Sequence, residues 1–413
     1  MTSRLFAVSS SVLLLVAASS SVAGGQPSHG DAWRCGSGAR SLSHLGDHVY
    51  PEAGNGGYTS LHTDVHLAYD APSNRFLPGN HVVLTDSATQ CLSDFSLDFE
   101  RHSAANPVDG PDLTVQSITV NGRPASFRFV EPTYPGDPNG QDDPDPRAHQ
   151  ASQVTPVGGP NHNPLPPACT PEVTGDDVNA QNGDPCPANK LVITPRRPLR
   201  AGEIFRVTVN YTGRPGVHTD GDGSTEGWFV GADGSFVTTE PVGTMDWMPL
   251  NNHPSVKPTY DFYDTVTRGR TAIANGRLIS GPTDNAPDAN FAGGSTSWHW
   301  KSPEPIANYL VENSVGNFDY SFRTGANDVV YFEAQDSGIT DARKALNKVA
   351  MDQQEAITHF EEQFSGPFPF NSDGIVVAKP TASFEEEMQT KIVFVGGRIA
   401  ADTFSHENMH QWW

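Results

Sequence analysis

Between residues 204 and 211, Phe205, Val207, Val209 and Tyr211 alternate with Arg206, Thr208 and Asn210. Successive side chains of an extended chain point to opposite faces, so this pattern specifies a strand with one face buried and one wet. The alternation begins at Thr59 and recurs over 64–69 and 95–99. Residues 115–120 run into Asn121-Gly122, a strong hairpin signal, before 125–130 return. Gly and Pro, 39 and 34 residues of 413, suit many strands joined by turns. At Thr340 the period changes. Thr340 can cap a helix whose apolar positions are Leu346, Val349, Ala350, Ile357, Phe360 and Phe364, ended by Gly366-Pro367. Residues 374–378 and 392–395 read as strands, and a second helix is predicted from near Arg398 to the end. The chain is therefore expected to be β-rich to about residue 325 and mixed beyond it.

Three segments stand apart. Residues 1–23 carry Arg4, a short apolar run and Ser21-Val22-Ala23, the pattern of a signal peptide cleaved near Ala23. Secretion follows as an expectation, with no membrane association after cleavage. Export would put Cys35, Cys91, Cys169 and Cys186 in an oxidising compartment, where three pairings are open to four cysteines. Cys169 with Cys186 would close a short loop, and Cys35 with Cys91 would tie the leader to the first sheet. Residues 132–187, rich in Pro, Gly and Asp, read as a solvated insertion that builds no core. The run 218–226, HTDGDGSTE, lacks the full spacing of a calcium loop and reads as a polar turn. Acidic residues outnumber basic ones 48 to 26, for a net charge of -22, which repels polyphosphate and argues against nucleic acid as a partner.

The chemistry lies in His406-Glu407-Asn408-Met409-His410. On a helix, positions i and i+4 share a face, so both imidazoles can address one zinc ion, with Glu407 as general base toward a zinc-activated water. The run HENMHQWW resembles the HExxHQW zinc helix of the aminopeptidase N family, a branch of the gluzincin metallopeptidases. Phe368-Pro369-Phe370 resembles that family's YPF turn. Residues 384–389, FEEEMQ, resemble its GAMEN-type exopeptidase motif, and 246–254 resemble the PCFDEP region of its β domain.

The resemblance implies an all-β N-terminal antiparallel sheet or saddle domain (24–325, with the insertion), then the start of an α+β thermolysin-like zinc peptidase domain (326–413). It implies zinc as cofactor, His406 and His410 as ligands, Glu407 as the catalytic base, and Glu387 and Glu240 as the carboxylates that bind the substrate's free amine. The partners implied are peptides with a free N-terminus. Phe384 and Glu385 replace the Gly and Ala of the motif. The family's third zinc ligand and catalytic tyrosine follow the HExxH helix, and nothing upstream is an obvious replacement ligand. The sequence therefore reads as an incomplete copy of a longer enzyme, one that binds zinc weakly as it stands. Two other readings stay open: an endopeptidase of another gluzincin branch, and a secreted β-rich binding protein with a decayed, inactive peptidase domain.

Overall fold

The structure, a computed structural model, describes residues 54–101, 108–130, 190–219, 225–231, 233–379 and 384–413. The expected signal peptide, the 132–187 insertion, Cys35, Cys169, Cys186 and the centre of the 218–226 run lie outside them. Cys91 is disulfide-bonded. Among the described residues no helix is long and apolar enough to cross a membrane.

The period-two segments assemble into a nine-stranded sheet. It runs Arg277–Asn285, Ser295–Ser302, Thr259–Thr267, Tyr58–Asp70, His81–Ala88, Ile204–Arg214, Asp112–Val120 and Arg123–Pro124, with the short Arg75–Phe76 bridging Tyr58–Asp70 and Ile204–Arg214. Phe205, Val207, Val209 and Tyr211 are buried on its inner face. Asn121 and Gly122 take positive φ, 52° and 70°, as a tight hairpin turn requires. Pairing is antiparallel with one exception: Tyr58–Asp70 lies parallel to Thr259–Thr267, with Asp64 opposite Asp261. Parallel neighbours need a long crossover, which local alternation does not reveal.

Under this sheet lies an aromatic core. Trp228 meets Tyr69 and Phe76 edge-on, with ring centroids at 5.1 and 5.3 Å, and Trp247 at 5.6 Å. Trp228 belongs to a five-stranded sheet of Val217–Thr219, Thr225–Val230, Ser235–Thr238, Asn313–Gly316 and Thr271–Ala274. The two ends of the 218–226 run are thus strand residues. His218 is buried between Asp246 (2.6 Å) and Glu226 (3.0 Å), and Glu226 accepts the N–H groups of Val242 and Gly243. These bonds fix the 239–246 loop that carries Glu240.

A further five-stranded sheet orders Phe318–Thr324, Val330–Asp336, Ser372–Val377, Ile392–Phe394 and Glu385–Glu386. Val330–Asp336 and Ser372–Val377 are parallel, and the crossover between them carries helices α1 (Asp341–Met351) and α2 (Gln354–Ser365). Thr340 caps α1 by accepting the N–H of Arg343. The single helix expected from Thr340 is broken at Asp352-Gln353, and its apolar stripe is split: Ala350 and Ile357 pack against the core, whereas Leu346, Val349, Phe360 and Phe364 are 57–71% exposed. Inward go Asn347, Gln354, Thr358 and Glu361, because the sheet and its loops offer them partners. Gln354 and Thr358 donate to Asp373 at 2.7 and 3.1 Å, and Asn347 donates to the Gly397 carbonyl at 3.1 Å. Buried polar groups are tolerated where hydrogen bonds replace water.

Asp86, on His81–Ala88, is fully buried, and desolvation pushes its carboxyl up to about 7. Below about pH 4 it is protonated folded and unfolded alike. As pH rises to about 7 the unfolded chain releases that proton and the folded one keeps it, so stability falls across this window. Asp86→Asn is expected to raise the thermal midpoint at pH 8 by the equivalent of roughly 1–3 kcal/mol, with the gain vanishing near pH 4. Thermal melts of both proteins across pH 4–8 check this; a pH-independent difference contradicts it.

Candidate functional site

The last helix, α3 (Ala401–Met409), is nine residues long and has no side-chain N-cap. Isolated helices of this length are not stable in water, so its neighbours must hold it. One apolar anchor is Phe404, 2% exposed and packed on Phe394. The rest of the grip is polar. Asn408 donates to Glu361 (2.7 Å) and Thr358 (3.2 Å), and Ser405 donates to Glu361 (2.8 Å), joining α3 to α2. The Trp412 indole N–H points at the carbonyls of Gly366 (3.1 Å) and Pro367 (3.2 Å), and its ring meets Phe368 edge-on at 5.2 Å. Gln411 reaches the loop and turn after the acidic strand Glu385–Glu386: its Oε1 accepts the Thr390 N–H at 2.7 Å, and its Nε2 donates to the Glu387 carbonyl at 3.2 Å.

With the helix so placed, the Nε2 atoms of His406 and His410 stand 3.1 Å apart. Ligand atoms of Glu387, Glu407 and His410 all lie within 4.8 Å of one another. Neighbouring donors around a tetrahedral zinc with ~2.1 Å bonds are ~3.4 Å apart, so the imidazole pair fits zinc. Glu387 is the one carboxylate from upstream of α3 in this group.

Burial, then the charges of Glu387, Glu385 and Glu240, pushes the Glu407 carboxyl up to about 7. Desolvation, then Glu387, also raises Glu240. Glu240 is exposed as a residue at the rim of the site, although its carboxyl lies partly among protein atoms. Glu386, directly before the candidate Glu387, has another task. It is buried and accepts the N–H groups of Thr239 (2.7 Å) and Glu240 (3.2 Å), clamping the Glu240 loop to the acidic strand. Desolvation raises its carboxyl well above the usual range. A cleft of about 260 Å³ opens beside Glu387 and His410, lined also by Tyr309, Phe370, Gln389 and Trp413.

Of the five residues singled out in the sequence, His406 pairs with His410, His410 groups with Glu387 and Glu407, and Glu240 is linked to them through its charge effect on Glu407. Gln411, Glu386, Asn408 and Glu361 were missed as positioning groups. Only Gln411 had a signal, its place directly after the second histidine.

No protein-family profile matches the sequence, and no curated protein matches it. Among solved structures, the M1 zinc metallopeptidase from Deinococcus radiodurans superposes with a TM-score of 0.63 at 21% identity, over 89% of this chain and 67% of that one. The chain has the fold of the M1 zinc metallopeptidases. Native yeast LTA4 hydrolase shares this fold, with a TM-score of 0.54 at 14% identity over 86% of this chain and 44% of that one. A mutant of the Deinococcus M1 protein is seen bound to a Tyr-Ser-Ala substrate; it superposes at 0.61 and 20% identity, over 89% and 67%. An all-β region followed by a mixed region is the order of elements that the M1 fold shares with this chain.

Gln411 closes the contact between the helix and the turn after the acidic strand in this M1 fold. Thr390 is fully buried and left-handed at φ 64°, a conformation that costs a β-branched residue energy. Gln411→Ala strands its N–H without a partner and is expected to destabilise the protein by about 1–3 kcal/mol. Chemical denaturation checks this, and a change under ~0.5 kcal/mol contradicts the clamp.

Proposed function

We propose that this chain is part of a secreted zinc aminopeptidase that removes N-terminal residues from peptides. The observation that carries the reading is the imidazole pair of His406 and His410, 3.1 Å apart, beside three acids. His406 and His410 would hold zinc, which when bound supplies Lewis acidity toward a peptide carbonyl and acidifies water. A further ligand contributed from outside these 413 residues belongs to the proposal; the M1 structures that the chain resembles are longer than it.

Glu407 supplies the proton handling. Burial and the neighbouring acids raise its carboxyl above the ordinary glutamate range, the direction that suits a base taking a proton from water and returning it to the leaving amine. Glu387 and Glu240 supply the end-recognition. Two carboxylates can bind one ammonium, and only at a chain terminus does that ammonium sit on the α-carbon beside a peptide bond, so the first peptide bond is the one brought to the catalytic residues. The M1 mutant bound to Tyr-Ser-Ala supports a peptide as the substrate class. Residues 1–23 support export, and the excess of acidic residues argues against nucleic acid.

The test is hydrolysis of a free-amine peptide and its N-acetylated copy by the native protein. Glu407→Gln is expected to lower kcat by ~10²–10⁴-fold with zinc content unchanged. Glu387→Ala is expected to raise KM for the free-amine peptide by at least ~10-fold and to narrow the preference over the acetylated one. Equal cleavage of both peptides by the wild-type protein would favour the endopeptidase reading. A wild-type protein with neither zinc at His406 and His410 nor hydrolysis would favour a binding protein with an inactive peptidase domain.

A further inference from the structure

The outer face of the nine-stranded sheet carries a second cluster of metal-ligand side chains, far along the chain from the HExxH helix. Period-two geometry puts His62, Asp64 and His66 on one face of Tyr58–Asp70. The parallel register sets Asp261 beside Asp64 and Tyr263 beside His66. The next strand brings Lys301 opposite Asp261 and His299 opposite Tyr263. His62 Nε2 lies 3.2 Å from Asp64 Oδ1 and 3.6 Å from Asp261 Oδ2, and ligand atoms of these three residues fall within 4.8 Å of one another. Donors around a tetrahedral zinc with ~2.1 Å bonds are ~3.4 Å apart, a spacing these two distances bracket.

Two features beyond the cluster itself prepare it for a metal. His62 Nδ1 is 2.7 Å from the Thr259 hydroxyl, and when that nitrogen donates there the Nε2 lone pair is left facing the two carboxylates. His299 Nε2 lies 2.7 Å from Asp261 Oδ1, the oxygen turned away from His62, so it orients the carboxylate as an outer partner of a metal ligand does. His299 is itself held by stacking: the rings of His81, His66, Tyr263 and His299 follow one another at 4.2, 4.6 and 4.3 Å.

We infer that His62, Asp64 and Asp261 form a binding site for a divalent transition metal of the zinc class, distinct from the His406–His410 pair. Two cations occupy the carboxylates in its absence. Lys301 Nζ is 2.5 Å from Asp261 Oδ2, and Arg206 is 3.3 Å from Asp64 Oδ2. The two cations are 46% and 61% exposed and their carboxylates 7% and 17%, so a divalent ion has to displace both cations, whose long side chains can return to water. A bound ion links two strands about 200 residues apart in sequence, across the sheet's parallel pair. Imidazole in the set favours zinc over magnesium or calcium, which prefer all-oxygen shells. The inference does not depend on the peptidase reading.

The experiment titrates Zn²⁺ alone, by calorimetry, into the full chain carrying His406→Ala and His410→Ala, so the HExxH pair cannot contribute. One equivalent is expected to bind and to raise the thermal midpoint. His62→Ala or Asp261→Asn, added to that background, should weaken binding at least ~10-fold. Lys301→Met, a change at an exposed side chain that leaves the ligands intact, should tighten it several-fold by removing the competitor. Absence of binding in the double variant overturns the inference, as does binding that neither His62→Ala nor Asp261→Asn reduces. An affinity unchanged or weakened by Lys301→Met also overturns it.

Discussion

Everything at the candidate site depends on hydrogen bonds that replace hydrophobic packing for one short helix. Among the described side chains of helix α3, Phe404 is the one deeply buried apolar group. Apolar burial is non-directional and tolerates sliding. A helix whose task is to set two nitrogen atoms a few tenths of an ångström from an ideal spacing needs directional bonds. Asn408 and Ser405 supply them toward α2, Gln411 toward the turn after the Glu385–Glu386 strand, and Trp412 toward the turn after α2. Removing one leaves a buried partner unpaired, which is why such groups cost more to lose than they contribute when present.

This polar logic also marks the boundary of what could be read from the sequence. The strands were legible because one face of each is apolar, as Phe205 to Tyr211 illustrate, and the Asn121-Gly122 turn because few residue pairs accept its dihedral angles. The zinc-type pair was legible because i and i+4 on a helix is local geometry. The parallel pairing of Tyr58–Asp70 with Thr259–Thr267 was not, since register over some 200 residues leaves no local trace. Nor was the splitting of the apolar stripe of α1 and α2. Leu346, Val349, Phe360 and Phe364 form a plausible inner stripe until Asp373 and Gly397, which lie elsewhere in the sequence, claim Gln354, Thr358 and Asn347 for the inside. Glu386 was indistinguishable from Glu385 and Glu387 within a run of three acids; only the backbone N–H groups of Thr239 and Glu240 separate their roles.

The likeness to M1 structures at 21% identity and below rests on the path of the backbone. A fold hosts many activities, and function has to be argued from the side chains placed on it. The acids of the candidate site differ in their surroundings. Glu407 and Glu240 are raised by desolvation and by one another's neighbours, whereas Glu386 is raised while it serves as a main-chain acceptor. On the proposed function, Glu407 would move protons and Glu387 and Glu240 would attract a cation, while Glu386 holds the Glu240 loop.

The bond from Gln411 to the Glu387 carbonyl carries one more consequence. The residue directly after His410 grips the main chain of the residue whose carboxylate would receive a substrate's amine. The distance between the two imidazoles and that carboxylate is thereby spanned by a few covalent bonds and one hydrogen bond, with no flexible segment between them. On the proposed function, the site is a ruler of fixed length: the stride with which a peptide is shortened is set by the protein's own backbone, and side chains in the cleft decide only which residue fills that stride.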